Sequence, residues 1–277
     1  MYLKLVFIHL RGEIKKMNIK NIDFYYFSGT GNTFLVVKKM VETFQREGIN
    51  VNLQKIEYSD PSNINLDNTI GIAFPVAVFS TYPFVWDFIH SLPKAEGTEI
   101  FMADTLGGFS GGIVGPVREI VKKKGYKPIG AFEIQMPSNI FLIQDKDTNE
   151  SKVQKGLIEA EKYALEILNG KSNWGRIPIF SDAMNLFSIG TLKLTGVNLH
   201  QKLFLFDPND QKCSKCGICT KLCPIENITI DDDGYPKHSL DCQYCLRCVS
   251  FCPKKAIPAK FNYKGETYRA CKAKDLL

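Results

Sequence analysis

The fold of the C-terminal part of the chain is decided by one cysteine run, which reads Cys213-Ser-Lys-Cys216-Gly-Ile-Cys219-Thr-Lys-Leu-Cys223-Pro224. The same spacing recurs further along as Cys242-Gln-Tyr-Cys245-Leu-Arg-Cys248-Val-Ser-Phe-Cys252-Pro253. Eight of the nine cysteines therefore lie in two copies of one pattern. Three thiolates two residues apart, on a tightly turning loop, can hold three corners of one cube of iron and sulfide.

The spacing C-x2-C-x2-C-x3-C-P is that of bacterial ferredoxins with two clusters, in which the fourth cysteine of each run ligates the other cluster. On this pattern, one [4Fe–4S] cluster is held by Cys213, Cys216, Cys219 and Cys252. The other is held by Cys242, Cys245, Cys248 and Cys223. The proline after each fourth cysteine restricts the backbone there to extended or turn geometry. Cys271 lies outside both runs, in a basic tail, and is predicted to be a free thiol.

Two other uses of clustered cysteines compete with iron–sulfur binding. A disulfide framework is typical of secreted proteins, whereas the first 212 residues contain no cysteine and no signal peptide is evident. Structural zinc also uses C-x2-C pairs, but it requires neither a third cysteine nor the duplicated C-P ending. A zinc-loaded tail behind an empty sheet domain is the non-redox alternative.

Length, hydrophobicity and charge narrow the function classes. A chain of 277 residues suggests about two domains, and a hydrophobic content of 44% permits a substantial core. The formal net charge of +6 falls to about +2 once two clusters, each about −2 with its thiolates, are counted. That balance gives little support to nucleic-acid binding. No apolar run reaches about 18 residues, so no membrane span is predicted.

A strand followed by a turn rich in glycine and hydroxyl groups opens the N-terminal part. The strand Ile22-Asp-Phe-Tyr-Tyr-Phe27 leads directly into Ser28-Gly29-Thr30-Gly31-Asn32-Thr33, and helical spacing starts at once. Backbone N–H groups at such a helix start attract an anion, and the hydroxyls of Ser28, Thr30 and Thr33 can add donors. The loop lacks the lysine of nucleoside triphosphate loops and the G-x-G-x-x-G of dinucleotide folds. It therefore predicts a phosphate cradle, with an ordinary capped turn as the alternative.

Strands and helices alternate through the rest of the N-terminal part. Further strands are predicted at 51–56, 69–74, 99–104 and 128–136. Helices are predicted from Pro83, around 117–121 and over 153–168, and residues 137–150 are predicted to be irregular. This alternation is typical of a parallel α/β sheet with helices on both faces.

The loop Ser28–Thr33 after the first strand resembles the FMN-phosphate loop of flavodoxins. Together with the cysteine runs, the chain resembles the flavodoxin–ferredoxin fusion proteins of anaerobes. The resemblance implies an α/β fold: a flavodoxin-like, doubly wound, five-stranded parallel sheet in the order 2-1-3-4-5, followed by a small α+β bacterial ferredoxin domain. The expected divisions are an FMN-binding domain over 17–170, a helical connector over 171–206 and a ferredoxin domain over 207–262. Residues 1–16 are expected to be a non-structural extension.

In that strand order the ligand lies outside the carboxyl ends of strands one and three. The resemblance therefore implies FMN contacts from the phosphate loop and from two further loops, 75–83 and 105–112. The candidate residues in these two loops are Pro75, Val76, Phe79, Tyr82, Thr105, Gly107, Gly108, Phe109 and Ser110. Phe79 or Tyr82 is expected on one face of the flavin ring and Phe109 on the other, with core packing as the alternative for each. The run around Ser110 also matches the hydrolase pattern G-x-S-x-G, but only His200 and His238 follow it.

One flavin and two clusters on one chain predict electron transfer between them and on to redox partner proteins, in a reducing cytoplasm. No catalytic acid or base is predicted. The alternative is a flavin-dependent reductase of a quinone, a flavin or a small electron-poor substrate, fed by its own ferredoxin domain. Cations around the clusters are candidates for docking an acidic partner: Lys212, Lys215, Lys221, Arg247, Lys254 and Lys255. Four apolar residues are expected to shield the clusters from water: Ile218, Ile225, Leu246 and Ile257.

Overall fold

The computed structural model describes residues 17–175, 208, 211–260 and 262–277. The N-terminal elements are β1 (Asn21–Tyr26), α1 (Asn32–Arg46), β2 (Asn50–Lys55), β3 (Thr69–Pro75), α2 (Pro83–Ser91), β4 (Glu99–Leu106), α3 (Val114–Lys123), β5 (Lys127–Gln135) and α4 (Lys146–Leu168). Those after residue 211 are α5 (Ile218–Leu222), β6 (Ile228–Ile230), β7 (Pro236–His238) and α6 (Arg247–Phe251). We call residues 17–175 the sheet domain and residues 211–260 the cysteine-rich domain. The predicted extension over 1–16 and residues 176–206 of the predicted connector lie outside the described residues.

The sheet has five strands in the order β2-β1-β3-β4-β5, and every neighbouring pair is parallel. The predicted strand order is thereby confirmed. Helices α2 and α3 bury their apolar residues against one face of the sheet, and α1 and α4 against the other. Strands β3 and β4 are buried along almost their whole length, as the continuous apolar runs of a parallel sheet require.

The centre of the sheet is packed around a glycine. Phe24 of β1 and Phe101 of β4 meet edge to face across β3, with ring centres 5.1 Å apart. A Cβ on Gly71, between them, would lie 2.6 Å from atoms of both rings. The two aromatic rings therefore fill the space that a side chain on β3 would otherwise occupy, since protein interiors are close-packed.

Helix α4 begins earlier than its apolar spacing predicts. Residues 137–145 are outside regular elements, but the helix starts at Lys146, so the prediction of irregular structure over 137–150 is wrong for its last residues. The reason is a cap: the Asp145 carboxylate accepts hydrogen bonds from Thr148 N at 2.8 Å and from Thr148 Oγ1 at 2.6 Å. An aspartate in this position satisfies a backbone N–H that has no partner within the helix.

The cysteine-rich domain is small and builds its core from its cysteines. The helices α5 and α6, each of five residues, pack on each other. The antiparallel pair β6–β7 lies between the runs. Its core contains Cys219 and Cys248 beside Val249 and Ile257. A domain of this size has a small apolar core and usually depends on additional cross-links or bound groups.

Candidate functional site

The two cysteine runs fold into loops of the same shape. Each run places three residues in the left-handed region of φ, at matching positions relative to its cysteines. The pairs are Lys215 and Tyr244 (φ 56° and 56°), Gly217 and Leu246 (67° and 62°), and Glu226 and Lys255 (52° and 48°). Most of these residues are not glycine, so the conformation costs free energy. Backbone strain of this kind persists where the surrounding structure determines it, and it is concentrated at ligand-binding loops.

Backbone N–H groups point at several of the sulfurs. The matching bonds in the two runs are Asn227 N to Cys223 Sγ and Ala256 N to Cys252 Sγ, both 3.2 Å. A third runs from Lys215 N to Cys213 Sγ at 3.4 Å. Hydrogen bonds to sulfur are among the factors that set the reduction potential of an iron–sulfur cluster.

A small cavity lies inside the second loop. Its lining includes four cysteines, which are Cys223, Cys242, Cys245 and Cys248. These are the four predicted ligands of one cluster, so the last cysteine of the first run does turn toward the second loop. Much of the remaining lining is apolar, with Pro224, Ile225, Ile228 and Leu246 among it. The cysteines and their apolar surroundings fit a [4Fe–4S] cluster.

In the other predicted ligand set, Cys219 is buried and Cys216 is exposed. Burial raises the pKa of the Cys219 thiol, and the charges of Cys216 and Cys252 raise it further. In the second loop, burial raises the pKa of the Cys245 thiol to about 12. A thiol in such surroundings becomes a thiolate ligand when the charge of a metal replaces its proton.

The cysteines are not arranged for disulfides or for a single metal ion. All nine are free of disulfide bonds. A structural zinc ion would need four ligands, with thiolates about 2.3 Å from one point. Within the described ranges, no three or more His, Cys, Asp or Glu side chains converge in that manner. A four-iron cube holds its thiolates further apart, one at each iron.

The second loop is packed onto the carboxyl edge of the sheet. Gln243 Oε1 accepts a hydrogen bond from Phe84 N at 3.2 Å, at the start of α2. A Cβ on Gly29, in the loop after β1, would lie only 2.5 Å from the carbonyl oxygen of Cys245. The close approach of the two backbones therefore requires glycine at position 29.

Arg247 fastens this loop to the sheet domain. Its side chain is 1% exposed, and its Nη2 lies 2.6 Å from Oε1 of Glu57, which is fully buried. Nε donates to Ser28 O at 2.8 Å, Nη1 donates to Leu222 O at 3.4 Å, and the guanidinium lies 4.6 Å from the centre of the Phe27 ring. The expectation that Arg247 is one of the cations presented to a partner is therefore wrong, because Glu57 and two carbonyls hold its charge inside the protein.

The other predicted cations and shielding residues mostly lie as expected. The five lysines are exposed: Lys212, Lys215, Lys221, Lys254 and Lys255. Leu246 and Ile257 are buried among the cysteines, and Ile225 lines the cavity. Ile218 packs instead in a separate cluster with Leu222 and Phe251. Neighbouring residues of a helix point in different directions, so Ile218 and Cys219 at the start of α5 contact different cores.

The predicted phosphate loop follows β1 and opens α1, with Gly31 at the N-cap (φ 105°). Each of its polar side chains already has a hydrogen-bond partner within the protein. Ser28 Oγ accepts hydrogen bonds from Gly31 N and Phe34 N, both at 3.2 Å. The side-chain bonds of the other members are Asn139 Nδ2 to Thr30 Oγ1 at 3.1 Å, Asn32 Nδ2 to Pro137 O at 2.9 Å, and Thr33 Oγ1 with Thr105 Oγ1 at 2.8 Å.

The last residues of the chain cover this loop. Ala270 N donates to Thr30 O at 2.8 Å, and the Tyr268 hydroxyl donates to Asn32 Oδ1 at 3.0 Å. A Cβ on Gly31 would lie 2.7 Å from Cys271 Sγ. All of residues 28–33 are buried. In this arrangement the loop does not fit the phosphate of FMN, because protein atoms occupy the space in front of its glycines and its hydroxyls are bonded elsewhere.

The aromatic candidates in the two further loops pack on other aromatic residues of the protein. Tyr82 is buried and packs on Phe27 and Phe84, with ring centres 5.3 Å and 6.1 Å away. Phe79 and Phe109 are exposed and contact each other, with ring centres 5.8 Å apart. The remaining candidates divide between a half-buried pair (Pro75, Val76), an exposed pair (Gly107, Gly108) and a buried pair (Thr105, Ser110). Ser110 Oγ accepts from Gly112 N at 3.0 Å, a bond within its own loop.

Comparison with known proteins identifies the cysteine-rich part. Residues 212–256 match the family described as "4Fe-4S dicluster domain". The cysteine-rich domain is therefore similar to 4Fe-4S dicluster domains. The match supports iron–sulfur binding and a redox role, and the matched part follows a sheet of flavodoxin-like strand order. The expected combination of a flavodoxin-like part with a ferredoxin-type part is therefore confirmed.

Three proteins of known identity are each similar to part of the chain. An archaeal-type glutamate synthase (NADPH) of Dehalococcoides mccartyi is 33% identical over 61 residues, which are 21% of this chain and 12% of that protein. The chain therefore matches about an eighth of that relative's length. Flavodoxin 2 from Bacillus cereus covers 53% of this chain and 97% of its own, at 16% identity and a TM-score of 0.42. The Megasphaera elsdenii flavodoxin covers 50% of this chain and 98% of its own, at 19% identity and a TM-score of 0.37.

Sequence reasoning missed two groups of residues around the site. Glu57 and the residues after 267 carry no motif, although a ninth cysteine outside both runs was a signal for Cys271. Asp104, near the end of β4, is fully buried, and neither carboxyl oxygen has a hydrogen-bond partner within the described part of the chain. Burial raises the pKa of Asp104 well above its usual range, and the charge of Glu133 adds to this.

None of the helices in the described ranges is both long and apolar enough to cross a bilayer.

Proposed function

We propose that the protein is an electron carrier that passes electrons through two [4Fe–4S] clusters, and that the sheet domain also binds FMN. The observation that supports this most is the crossed arrangement of the cysteines, in which Cys223 lines the cavity of the second loop. The duplicated left-handed positions and the matching N–H to sulfur bonds point the same way.

The cysteines would act as two sets of four thiolate ligands, as the spacing predicts. Each bound cluster supplies the chemistry by taking up or releasing one electron at a time. The protein's own residues determine the surroundings of each cluster. Val249 and Ile257 keep water from the cysteine core, and the N–H groups of Asn227 and Ala256 stabilise negative charge on two sulfurs. Arg247 holds the second loop against the sheet domain.

The proposed partners are acidic redox proteins. The cysteine-rich domain exposes Lys221, Lys254 and Lys255. Complementary charge accelerates the encounter of two proteins. Lys215 is partly engaged within the domain, because its Nζ donates to Asp233 O at 2.6 Å and lies over the Tyr235 ring. A carrier of this type is proposed to work in a reducing cytoplasm.

FMN binding is the second part of the proposal. It is supported by the sequence of residues 28–33 and by the position of the loop at the point where the strand order reverses, which is where ligands bind in such sheets. The residues after 267 cover the loop from Thr30 to Asn32, and the carbonyl of Cys245 covers it at Gly29, so FMN can reach it only after these groups move. For that reason no electron-transfer step is assigned to the sheet domain.

Cofactor analysis after oxygen-free purification tests the proposal. We expect about eight iron and about eight acid-labile sulfide per chain, since each cluster contains four of each. Protein that holds zinc and no sulfide would contradict it. A carrier should also reduce external acceptors without selectivity; saturable, enzyme-like turnover of one organic substrate would favour the reductase alternative instead.

A further inference from the structure

The residues that cover the phosphate loop form a continuous docked element. We call residues 268–277 the C-terminal segment. It contacts three consecutive residues of the loop: Ala270 bonds Thr30, Cys271 lies against Gly31, and Tyr268 bonds Asn32. The loop residues accept both of these hydrogen bonds. The segment is therefore complementary in polarity to the acceptors of the loop and complementary in shape to its glycines.

The far end of the segment is anchored between the two domains. Leu276 is fully buried in a small cluster with Leu222 and Phe251 of the cysteine-rich domain, and Phe34 of α1 packs against that cluster. A turn over Ala273–Asp275 precedes it, in which Asp275 Oδ2 accepts from Lys272 N at 2.8 Å. Leu277, the next residue, is 46% exposed. One leucine side chain thus supplies the main apolar anchor of the segment.

Burial of this anchor is large enough to matter for competition. Replacing a buried leucine by alanine typically costs several kcal/mol, and even part of that loss would change the docked population by a large factor. A ligand that needs the loop binds only to the undocked fraction, so its apparent affinity is lowered in proportion. The phosphate of FMN is such a ligand, because the loop atoms it would approach are covered.

We propose that the phosphate loop is the docking site of the chain's own C-terminal segment, and that the segment and the FMN phosphate occupy the loop in mutual exclusion. This rests on the proposed function, in which FMN is a ligand of the sheet domain. Binding of FMN would release residues 268–277, and docking of the segment would release FMN. Because binding linkage is reciprocal, each must weaken the other by the same factor.

The test compares Leu276→Ala with its matched control Leu277→Ala in the full-length, iron-loaded protein. FMN is titrated against each and followed by quenching of flavin fluorescence. We expect Leu276→Ala to bind FMN at least about tenfold more tightly than the natural protein, with Leu277→Ala unchanged. Tyr268→Phe loses only the bond to Asn32, so its affinity for FMN should lie between those of the other two variants. It keeps the test decisive if Leu276→Ala does not fold.

A second readout reports the segment directly. Alkylation of Cys271 by iodoacetamide, located by peptide mass mapping, should be faster in Leu276→Ala, and adding FMN to the natural protein should accelerate it. FMN binding that is equally tight in all variants and leaves Cys271 unchanged would overturn the competition while leaving FMN as a ligand. If no variant binds FMN, the competition and the FMN part of the proposed function both fail. Iron and sulfide content still tests the clusters separately.

Discussion

The two cysteine loops share one backbone shape and differ in their surroundings. In the first, Cys216 is exposed and a Cβ on Gly217 would meet no atom within 4 Å. In the second, the carbonyl of Cys245 lies against Gly29, and Arg247 is almost fully buried. Cysteine spacing therefore determines the shape of a loop, whereas the residues between the cysteines determine whether the loop docks onto the sheet domain.

Replacing Arg247 tests this contrast most strongly. Arg247→Ile gives the second run the residue that the first has at the same place, Ile218. We expect the free energy of unfolding to fall by about 3–5 kcal/mol, because Glu57 is left buried without its partner. The measurement is urea denaturation without oxygen, followed by the fluorescence of Trp86 and Trp174, both in the sheet domain.

Two further variants check the cause of that loss. Lys221→Ile removes an exposed cation near the first loop and should change the free energy of unfolding by less than about 0.5 kcal/mol. Adding Glu57→Leu to Arg247→Ile should restore part of the stability, since a buried ion pair can often be replaced by apolar residues. Equal losses for Arg247→Ile and Lys221→Ile would show that docking does not depend on the buried pair.

The reactivity of Cys271 measures the docking of the C-terminal segment. Burial raises the pKa of its thiol to about 11, with Asp275 contributing. Burial favours the protonated thiol, so docking of the C-terminal segment is fully present below pH 9 and weakens as the pH rises toward 11. At pH 8 we expect alkylation to be up to about a hundredfold slower than in Leu276→Ala, because only the thiolate reacts. Equal rates would mean that the segment is not docked in solution.

The close approach at Gly29 gives a smaller effect. Gly29→Ala would place a methyl group against the carbonyl oxygen of Cys245, and we expect it to lower the free energy of unfolding by about 1–3 kcal/mol, as overpacking does. Gly108→Ala is the control, because a Cβ there would meet no atom within 4 Å. The same urea denaturation measures both, and a neutral Gly29→Ala would place the second loop away from the sheet domain.

The strained positions in the two loops should give the smallest effect. Lys215→Gly relieves a positive φ in the exposed loop but loses the bond from Lys215 Nζ to Asp233 O, so we expect the free energy of unfolding to rise by less than about 1 kcal/mol. Its counterpart Tyr244 packs against the cysteine core, so Tyr244→Gly should gain less or lose stability. Thermal unfolding of the two variants distinguishes these outcomes, and a larger gain from Tyr244→Gly would reverse the assignment of the docked loop.

The parts predicted from sequence are those whose signal is local. The five strands, their helices and the duplicated loops follow from apolar spacing and cysteine spacing, and each can be read within a few dozen residues. The burial of Arg247 cannot be read in that way, because a cation between cysteines resembles a surface residue until its partner Glu57, 190 positions away, is known. The cover on the phosphate loop is equally non-local, since Tyr268 and Asn32 are 236 positions apart.

The crossing of Cys223 and Cys252 has a consequence for how the protein matures. With the ligand sets proposed above, neither run can complete a cluster from its own cysteines, so an isolated half of the domain would hold at most three corners of a cube. During synthesis, the first-loop cube would have to wait until Cys252 has left the ribosome. Iron insertion is then a late step that joins the two cysteine runs, and damage to either loop would affect both clusters.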